Sequence, residues 1–304
     1  MAKDFIVAIE LGSSKMTGIA GRKNPDGSIS ILAVAKEDSA SYIRKGVAYN
    51  IERTAQGLSN IVSKLKNTLK TEIEQVYVGI GGQSIHSVKN SIVKELPLDC
   101  IVSQDMVNEL MDTNRSMEYK DCEILDAITQ EYNVDGHYED DPVGIQARHL
   151  EGNFLNILWR RSFYRSLNKS LDNSGIKVAE MYLAPLTMAD CVLTDAEKRA
   201  GCVLVDLGAD TTTVSVYYRN KLRHIAVLPL GGSNVTKDLE SLQIDEINAE
   251  AMKLKHASAL TDEKDIDADA TLPIGDGRTI RSCMFIQVVE ARMLEIVCLL
   301  YTSP

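Results

Sequence analysis

Apolar residues recur along this chain at two periods. Phe5 to Leu11 (FIVAIEL) is a short β-rich run closed by Gly12, and Met16 to Gly21 is a second, reached through the polar loop Gly12-Ser13-Ser14-Lys15. Ser28 to Lys36 (SISILAVAK) is a third, entered through the turn Asn24-Pro25-Asp26-Gly27. Such runs, punctuated by small and turn-forming residues, predict three sequential antiparallel strands. The period then lengthens: Ile51, Ala55, Leu58, Ile61, Val62, Leu65 and Leu69 share one helical face, with Lys64, Lys66, Asn67 and Lys70 mostly opposite. That spacing predicts an amphipathic helix packed on the opening sheet.

Gln75 to Ile80 is another buried-type strand, after which the pattern changes character. IHSVKNSIV, TQEYNVDG and GNFLNIL read as strands around one helix, Gln104 to Met117, with Ser103 as its N-cap. Together they predict a small α+β insert. Phe163 to Asn173 then reads as a helix ended by Gly175, Lys177 to Leu183 as a strand and Pro185 to Leu193 as a helix. Leu222 to Leu230 is a strand pattern, and helices Val235 to Leu242 and Asp245 to Ala259 follow. Strands alternating with helices place the chain in the α/β class.

Composition narrows the function classes. With 304 residues, 44% hydrophobic and 25% charged, the chain is neither disordered nor a small disulfide scaffold, and it can enclose one two-lobed core or two ordinary ones. A net charge of -10 argues against a broad phosphate-backbone surface, so nucleic acid is not an expected partner. Cys100, Cys122, Cys191, Cys202, Cys283 and Cys298 form no C-x-x-C pair, and the N-terminus runs straight into a strand pattern rather than a signal peptide. Reduced thiols and a cytoplasmic protein are expected. Met284 to Leu300 is apolar, but Glu290, Arg292 and Glu295 inside it are too much charge for a bilayer core.

The candidate chemistry lies in an internal echo. Ile9-Glu10-Leu11-Gly12-Ser13-Ser14-Lys15-Met16-Thr17 recurs as Val205-Asp206-Leu207-Gly208-Ala209-Asp210-Thr211-Thr212-Thr213, each at the end of an apolar strand and each followed by a β-rich run. Gly12 and Gly208 allow close backbone approach, while the amides and hydroxyls of Ser13, Ser14, Thr211 and Thr212 can donate to phosphate oxygens, with Lys15 as a point charge. Glu10 and Asp206 suit a hydrated Mg²⁺, which keeps waters and takes one or two acids. The same pattern also fits two ordinary β-hairpins. Gly231-Gly232-Ser233-Asn234 opens a helix after a strand, either an anion site or an ordinary strand-to-helix turn. Glu250 and Lys253, one turn apart, read most simply as a solvated pair.

Other motifs carry less. Gly79-Ile80-Gly81-Gly82-Gln83-Ser84 misses the dinucleotide fingerprint because Ser84 takes the third glycine place and strand follows. There is no G-x-x-x-x-G-K-[ST] loop. Ser91-Ile92-Val93-Lys94 fits S-x-x-K without its companion motifs. The five histidines make no metal-ligand spacing, and Trp159 beside Arg160 and Arg161 reads as packing.

IELGSSKMTG, VLVDLGADTTTVSVY, LRHIAVLPLGGSNVTKDL and AEAMKLKHASAL together resemble the actin and heat-shock-chaperone ATPase superfamily, and within it the FtsA family of bacterial cell-division proteins. QVYVGIGGQSIHS, DAITQEYNVDG and PVGIQARHLEGNFLNIL resemble the insert, subdomain 1C, that sets FtsA apart, and VVEARMLEIV resembles a helix of its second lobe. The resemblance implies an actin-like (ribonuclease H-like) two-lobed ATPase fold with an inserted α+β 1C subdomain. It divides the chain into subdomain 1A at 1–83 with 163–198, lacking its last helix, 1C at 84–162, the start of 2A at 199–230, and 2B at 231–304 with an incomplete end.

Carried over by position, it implies phosphate contacts from Gly12, Ser13, Ser14, Lys15, Asp206, Gly208, Thr211, Thr212, Gly231, Gly232 and Ser233. Adenosine contacts fall to Glu250 and Lys253, and metal contacts through water to Glu10 and Asp206; no catalytic base is assigned. It further implies ATP and Mg²⁺ as cofactors, slow hydrolysis used as a switch, and FtsZ bound by its C-terminal tail through 2B. Self-association through 1C and the lobe ends, recruitment of other divisome proteins, and a place on the cytoplasmic face of the inner membrane at the division site complete the expectation.

The chain departs from the family pattern in its first loop, its second loop and its ending. Glu10 stands where the superfamily commonly has Asp. Asp210 stands where FtsA-like sequences usually have Gly, and Thr213 where many have Asp. The ending at Leu300-Tyr301-Thr302-Ser303-Pro304 reads as a C-terminal truncation, without the adenosine-closing turn or the amphipathic membrane helix. Two other readings stay open: an interaction module of the same fold that needs no nucleotide, and, with less support, a small-molecule kinase on the same superfold.

Overall fold

The opening runs form the strands that their patterning predicts. In a computed structural model that describes residues 5–262, 270–275 and 277–302, β1 (Ile6–Leu11), β2 (Lys15–Lys23) and β3 (Ile29–Asp38) make an antiparallel meander. The short ribbon β4 (Ile43–Arg44) and β5 (Val47–Ala48) leads into α1 (Ile51–Leu69), whose first turn is capped by Asn50 accepting from the Arg53 amide. α1 buries Leu58, Ile61 and Leu65 against this sheet. Contact there is close: a Cβ on Gly18 of β2 would lie 2.4 Å from Ile61 Cγ2. β6 (Val76–Ile80) then joins β1 in parallel.

The insert is an antiparallel layer. β7 (His86–Glu95), α2 (Gln104–Arg115), β8 (Cys122–Val134), β9 (His137–Glu139) and β10 (His149–Arg160) follow in order, with β10 pairing both β7 and β8. Its own core gathers Val102, Leu110, Val134, Leu150 and Phe154. Two fully buried amides, Asn114 and Asn156, donate to each other's carbonyls at 2.7 and 2.9 Å and pin the end of α2 to β10. Buried polar groups matched in this way fix register and do not leave desolvated donors. Trp159 is buried and donates its indole N–H to the Gln83 carbonyl at 3.1 Å, so it packs as expected.

After the insert come α3 (Arg161–Ser174), β11 (Val178–Leu183), α4 (Ala184–Val192), α5 (Asp195–Ala200), β12 (Cys202–Leu207), β13 (Thr212–Tyr218) and β14 (Lys221–Leu228). β11 completes a five-stranded sheet of order β11-β6-β1-β2-β3, while β12 to β14 extend the insert layer into a seven-stranded sheet of order β12-β13-β14-β7-β10-β8-β9. The strand link between β14 and β7 is the single pair Ala226↔His86. Side chains reinforce it: Gln130 donates to the Leu222 carbonyl at 3.1 Å and Lys221 to Asp140 at 2.6 Å. α5 is not visible to apolar periodicity because it buries no residue; the reciprocal capping box of Thr194 and Glu197 defines it.

Two compact units result, 1–205 with 213–227, and 206–212 with 228–304. The second unit holds α6 (Gly232–Glu240), α7 (Glu246–His256), β15 (Thr271–Gly275), β16 (Arg278–Arg281) and α8 (Ser282–Thr302). Val235, Leu239, Ile244, Met252, Ile274, Phe285 and Val289 form its core. Arg292 of α8 grips Asp238 of α6 with two hydrogen bonds, 2.5 and 2.9 Å. α6 begins at Gly232 rather than Val235, and α7 stops at His256, where Ala257 turns extended. Among the described residues no helix is long and apolar enough to cross a membrane, and no two of the six cysteines form a disulfide.

Candidate functional site

The first loop belongs to the first unit and closes the β1–β2 hairpin. Ser39, fully buried just after β3, donates its hydroxyl to the Gly12 carbonyl at 2.6 Å and its amide to the Ser14 carbonyl at 3.2 Å. Ser13 is turned inward, where its hydroxyl oxygen accepts from the Gly46 amide at 2.8 Å. Ser14 and Lys15 are exposed, as is Glu10. A Cβ on Gly12 would meet the Lys15 carbonyl at 2.5 Å, so the hairpin itself requires glycine there. Behind it Gly46 (φ +72) meets Gly82 (φ +135), and a Cβ on Gly46 would come within 2.4 Å of the Gly82 Cα. The Gly81-Gly82 pair, set aside as a dinucleotide turn, therefore buttresses this loop.

The second loop belongs to the second unit. The Gly208 amide donates to the Thr211 carbonyl at 2.9 Å and closes the turn. The carbonyls of Gly208 and Ala209 accept from the amides of Gly232 and Ser233 at 2.9 and 2.7 Å. Thr212 is buried and donates its hydroxyl to the Leu230 carbonyl at 2.9 Å. The first amides of α6, a candidate anion site on sequence grounds, thus hold the loop in place. Gly231 is required by the same contact, since a Cβ there would lie 2.5 Å from both loop carbonyls.

Asp206 sits at the end of β12, partly buried and with neither hydrogen bond nor ion pair among the described residues, and burial raises its pKa above the ordinary carboxylate value. Asp210 is also partly buried, and Thr213 is buried in β13. Glu250 and Lys253 of α7 reach the same helix start. The Lys253 ammonium donates to Glu250 at 2.6 Å, to the Thr236 hydroxyl at 2.9 Å and to the Gly232 carbonyl at 3.1 Å. Burial pushes the Glu250 carboxyl up, but hydrogen bonds from Lys253 and Thr236 outweigh it and hold the pKa below its ordinary value. The pair is therefore more than a solvated surface contact: it ties α7 to the first turn of α6.

Asp206, Gly208, Thr211, Thr212, Gly231, Gly232, Ser233, Glu250 and Lys253 come together in the second unit, whereas Glu10 and Gly12 to Lys15 lie in the first. Ser39 and Gly46, which anchor the first loop, are additions that local sequence does not signal. They lie 27 and 33 residues from their partners and match no motif.

A family model described as cell division protein FtsA matches residues 203–288, and one described as the SHS2 domain inserted in FTSA matches 82–158. The chain is 34% identical over 295 residues to the cell division protein FtsA of Porphyromonas gingivalis, an alignment covering 95% of this chain and 61% of that protein. The chain belongs to the FtsA family. It is also 28% identical to the FtsA of Neisseria meningitidis and 27% to that of Escherichia coli, covering 72% and 71% of those proteins. The chain thus spans less than two thirds of its Porphyromonas relative and somewhat more of the other two.

Solved structures place the fold of this FtsA-family chain. It superposes on the PilM-PilN type IV pilus biogenesis complex with a TM-score of 0.62 at 13% identity, covering 97% of this chain and 75% of that one. On MreB5 of Spiroplasma citri bound to ADP the TM-score is 0.53 at 11% identity, covering 99% and 80%. The architecture is the α/β fold of the actin-like ATPases, and the FtsA insert model covers β7, α2, β8, β9 and β10 as far as Leu158.

Proposed function

We propose that this chain is the nucleotide-responsive part of an FtsA-type cell-division scaffold, with ATP as its nucleotide. The observation that carries the reading is the partnerless, desolvated carboxylate of Asp206 beside a glycine turn, matched in sequence by the Glu10–Gly12 turn that presents Ser14 and Lys15 to solvent. A partly buried acid without a protein partner suits the water shell of Mg²⁺, which takes few carboxylates directly. When bound, the ion would offset phosphate charge.

In this reading Ser14, Lys15 and the Gly12 backbone are the phosphate donors of the first unit, Thr211 and the Gly208 backbone those of the second, and Glu250 and Lys253 face the adenosine. Hydrolysis is slow and acts as a conformational switch. The partners are those of the family: the FtsZ tail through residues 231–304, further copies through the insert and lobe ends, other divisome proteins, and the inner face of the membrane. Calorimetric titration of Mg-ATP tests the core of it. Binding should weaken about tenfold or more in Lys15→Ala and Asp206→Asn, each of which removes one charged contact; equal affinity in all three proteins, or no heat at millimolar nucleotide, refutes it.

A second reading, an interaction module that needs no nucleotide, has its own support in the α6 amides already engaged by Gly208 and Ala209. An immobilised FtsZ tail peptide separates the two. Capture that ignores added Mg-ATP favours the module, and capture that depends on it favours the switch.

A further inference from the structure

We infer that the depression where α3 begins is a second anion site, for a ligand carrying clustered phosphate groups. It lies wholly in the first unit and has a volume of about 790 Å³. Lys120, Arg160, Arg161 and Arg165 line it against one carboxylate, Asp121. The chain as a whole has 43 acids and 33 bases, so four cations around one hollow run against its composition.

These cations have different duties. Arg161 is committed to the wall: its Nε donates to Glu123 at 2.8 Å, its Nη2 to the Cys122 carbonyl at 3.2 Å and its amide to the Asp121 carbonyl at 2.8 Å. The β8–β10 pairing Cys122↔Arg160 fixes the adjoining strand ends. Lys120 and Arg165 are exposed and have no carboxylate partner among the described residues. Arg160 lies over the Phe163 ring at 5.0 Å, which orients the guanidinium without using its hydrogen-bonding fork.

Lys120, Arg160 and Arg165 outnumber the one carboxylate of the lining, Asp121, and the excess positive charge is what a polyanion relieves. Guanidinium forks match phosphate oxygens two at a time. The Ser162 hydroxyl and the first turn of α3, which has no side-chain cap and no acid, add donors to a site the side chains already define. Four cations around a hollow of about 790 Å³ favour two or more phosphate groups together. A soluble polyphosphate-type anion and the headgroups of an anionic lipid both present that chemistry.

Inorganic pyrophosphate is the first probe, read by hydrogen exchange of amides 160–168 so that binding at the hairpin loops is not counted. Pyrophosphate should slow exchange in that segment. The concentration needed should rise about tenfold or more in the Lys120→Glu/Arg165→Glu double variant, and Lys15→Ala should leave it unchanged. If the double variant is unfolded by its urea midpoint, Arg165→Lys, which keeps the charge and loses the fork, should still show a several-fold weakening. Co-sedimentation with phosphatidylglycerol vesicles, against phosphatidylcholine vesicles, separates the sources. Sedimentation that Arg165 controls and pyrophosphate reverses assigns a lipid headgroup, and protection by pyrophosphate without sedimentation assigns a soluble anion. Protection equal in all variants, or neither protection nor lipid-dependent sedimentation, overturns the site.

Discussion

In the β1–β2 loop, the carbonyls of Gly12 and Ser14 take their hydrogen bonds from one buried serine, Ser39; in the β12–β13 loop, those of Gly208 and Ala209 take theirs from the opening amides of a helix. The two loops echo each other in sequence and both close tight hairpins, yet their supports are unrelated. The first is locked into its own sheet and the Gly46–Gly82 crossing, so whatever Lys15 meets is presented from a rigid platform. The second is fastened to α6, which Lys253 ties to α7 and Arg292 of α8 holds through Asp238. A pull on the second loop is thus a pull on three helices. Repetition of a motif predicts the turn, not the mechanical consequence of loading it.

The largest blow to this contrast should come from Gly46→Ala. The new Cβ would demand a left-handed backbone of an L-residue and press to 2.4 Å on the Gly82 Cα, for a cost of about 3 kcal/mol or more. Gly231→Ala, in an extended backbone where only the clash with the Gly208 and Ala209 carbonyls counts, should cost about 2 kcal/mol. Urea unfolding followed by hydrogen exchange can separate them. Gly46→Ala should loosen β1, β2 and α1, and Gly231→Ala the amides of α6. Loosening of α6 by both would mean that the two supports are not independent.

Removing one hydroxyl from each loop asks the same question more gently. Ser39→Ala leaves the Gly12 carbonyl without its donor in a buried place and should cost about 1–2 kcal/mol, and Thr212→Val, losing the bond to Leu230, about 1 kcal/mol. The midpoint of chemical unfolding reads both. If the platform and the tether differ as argued, only Thr212→Val should alter proteolysis between α6 and α7.

Much of this was legible in the chain. The meander, α1 with its ends at Ile51 and Leu69, and the insert strands follow from periodicity and caps, because each buries one face against a single layer. The echo located both hairpins. What was not legible came from long range: Ser39 reaching Gly12, Gly46 meeting Gly82, and the α6 amides turning to Gly208 and Ala209 all depend on how finished elements stack. The same limit applies to the surroundings of Gly231. A glycine pair before a helix signals free amides, and nothing local reveals that carbonyls from residues 208 and 209 already occupy them.

The smallest effect is the most diagnostic, and it concerns Asp206. Glu10, its counterpart on the first loop, is exposed, while Asp206 is partly desolvated and its pKa stands above the ordinary 3.8. Between 3.8 and the raised value the folded chain holds more proton than the unfolded one, so stability falls as pH rises through that window, and the deficit is full at neutral pH. Asp206→Asn should therefore raise the urea midpoint at pH ~7, with the gain fading as pH drops below the ordinary carboxylate range. Mg-ATP should invert the order. An ion that borrows this carboxylate stabilises the native chain and has less to hold in the variant, so the native protein should overtake Asp206→Asn as nucleotide is added. A variant that stays ahead at saturating Mg-ATP would show that the desolvated acid serves only the hairpin, and the second loop would then be a tether with no load.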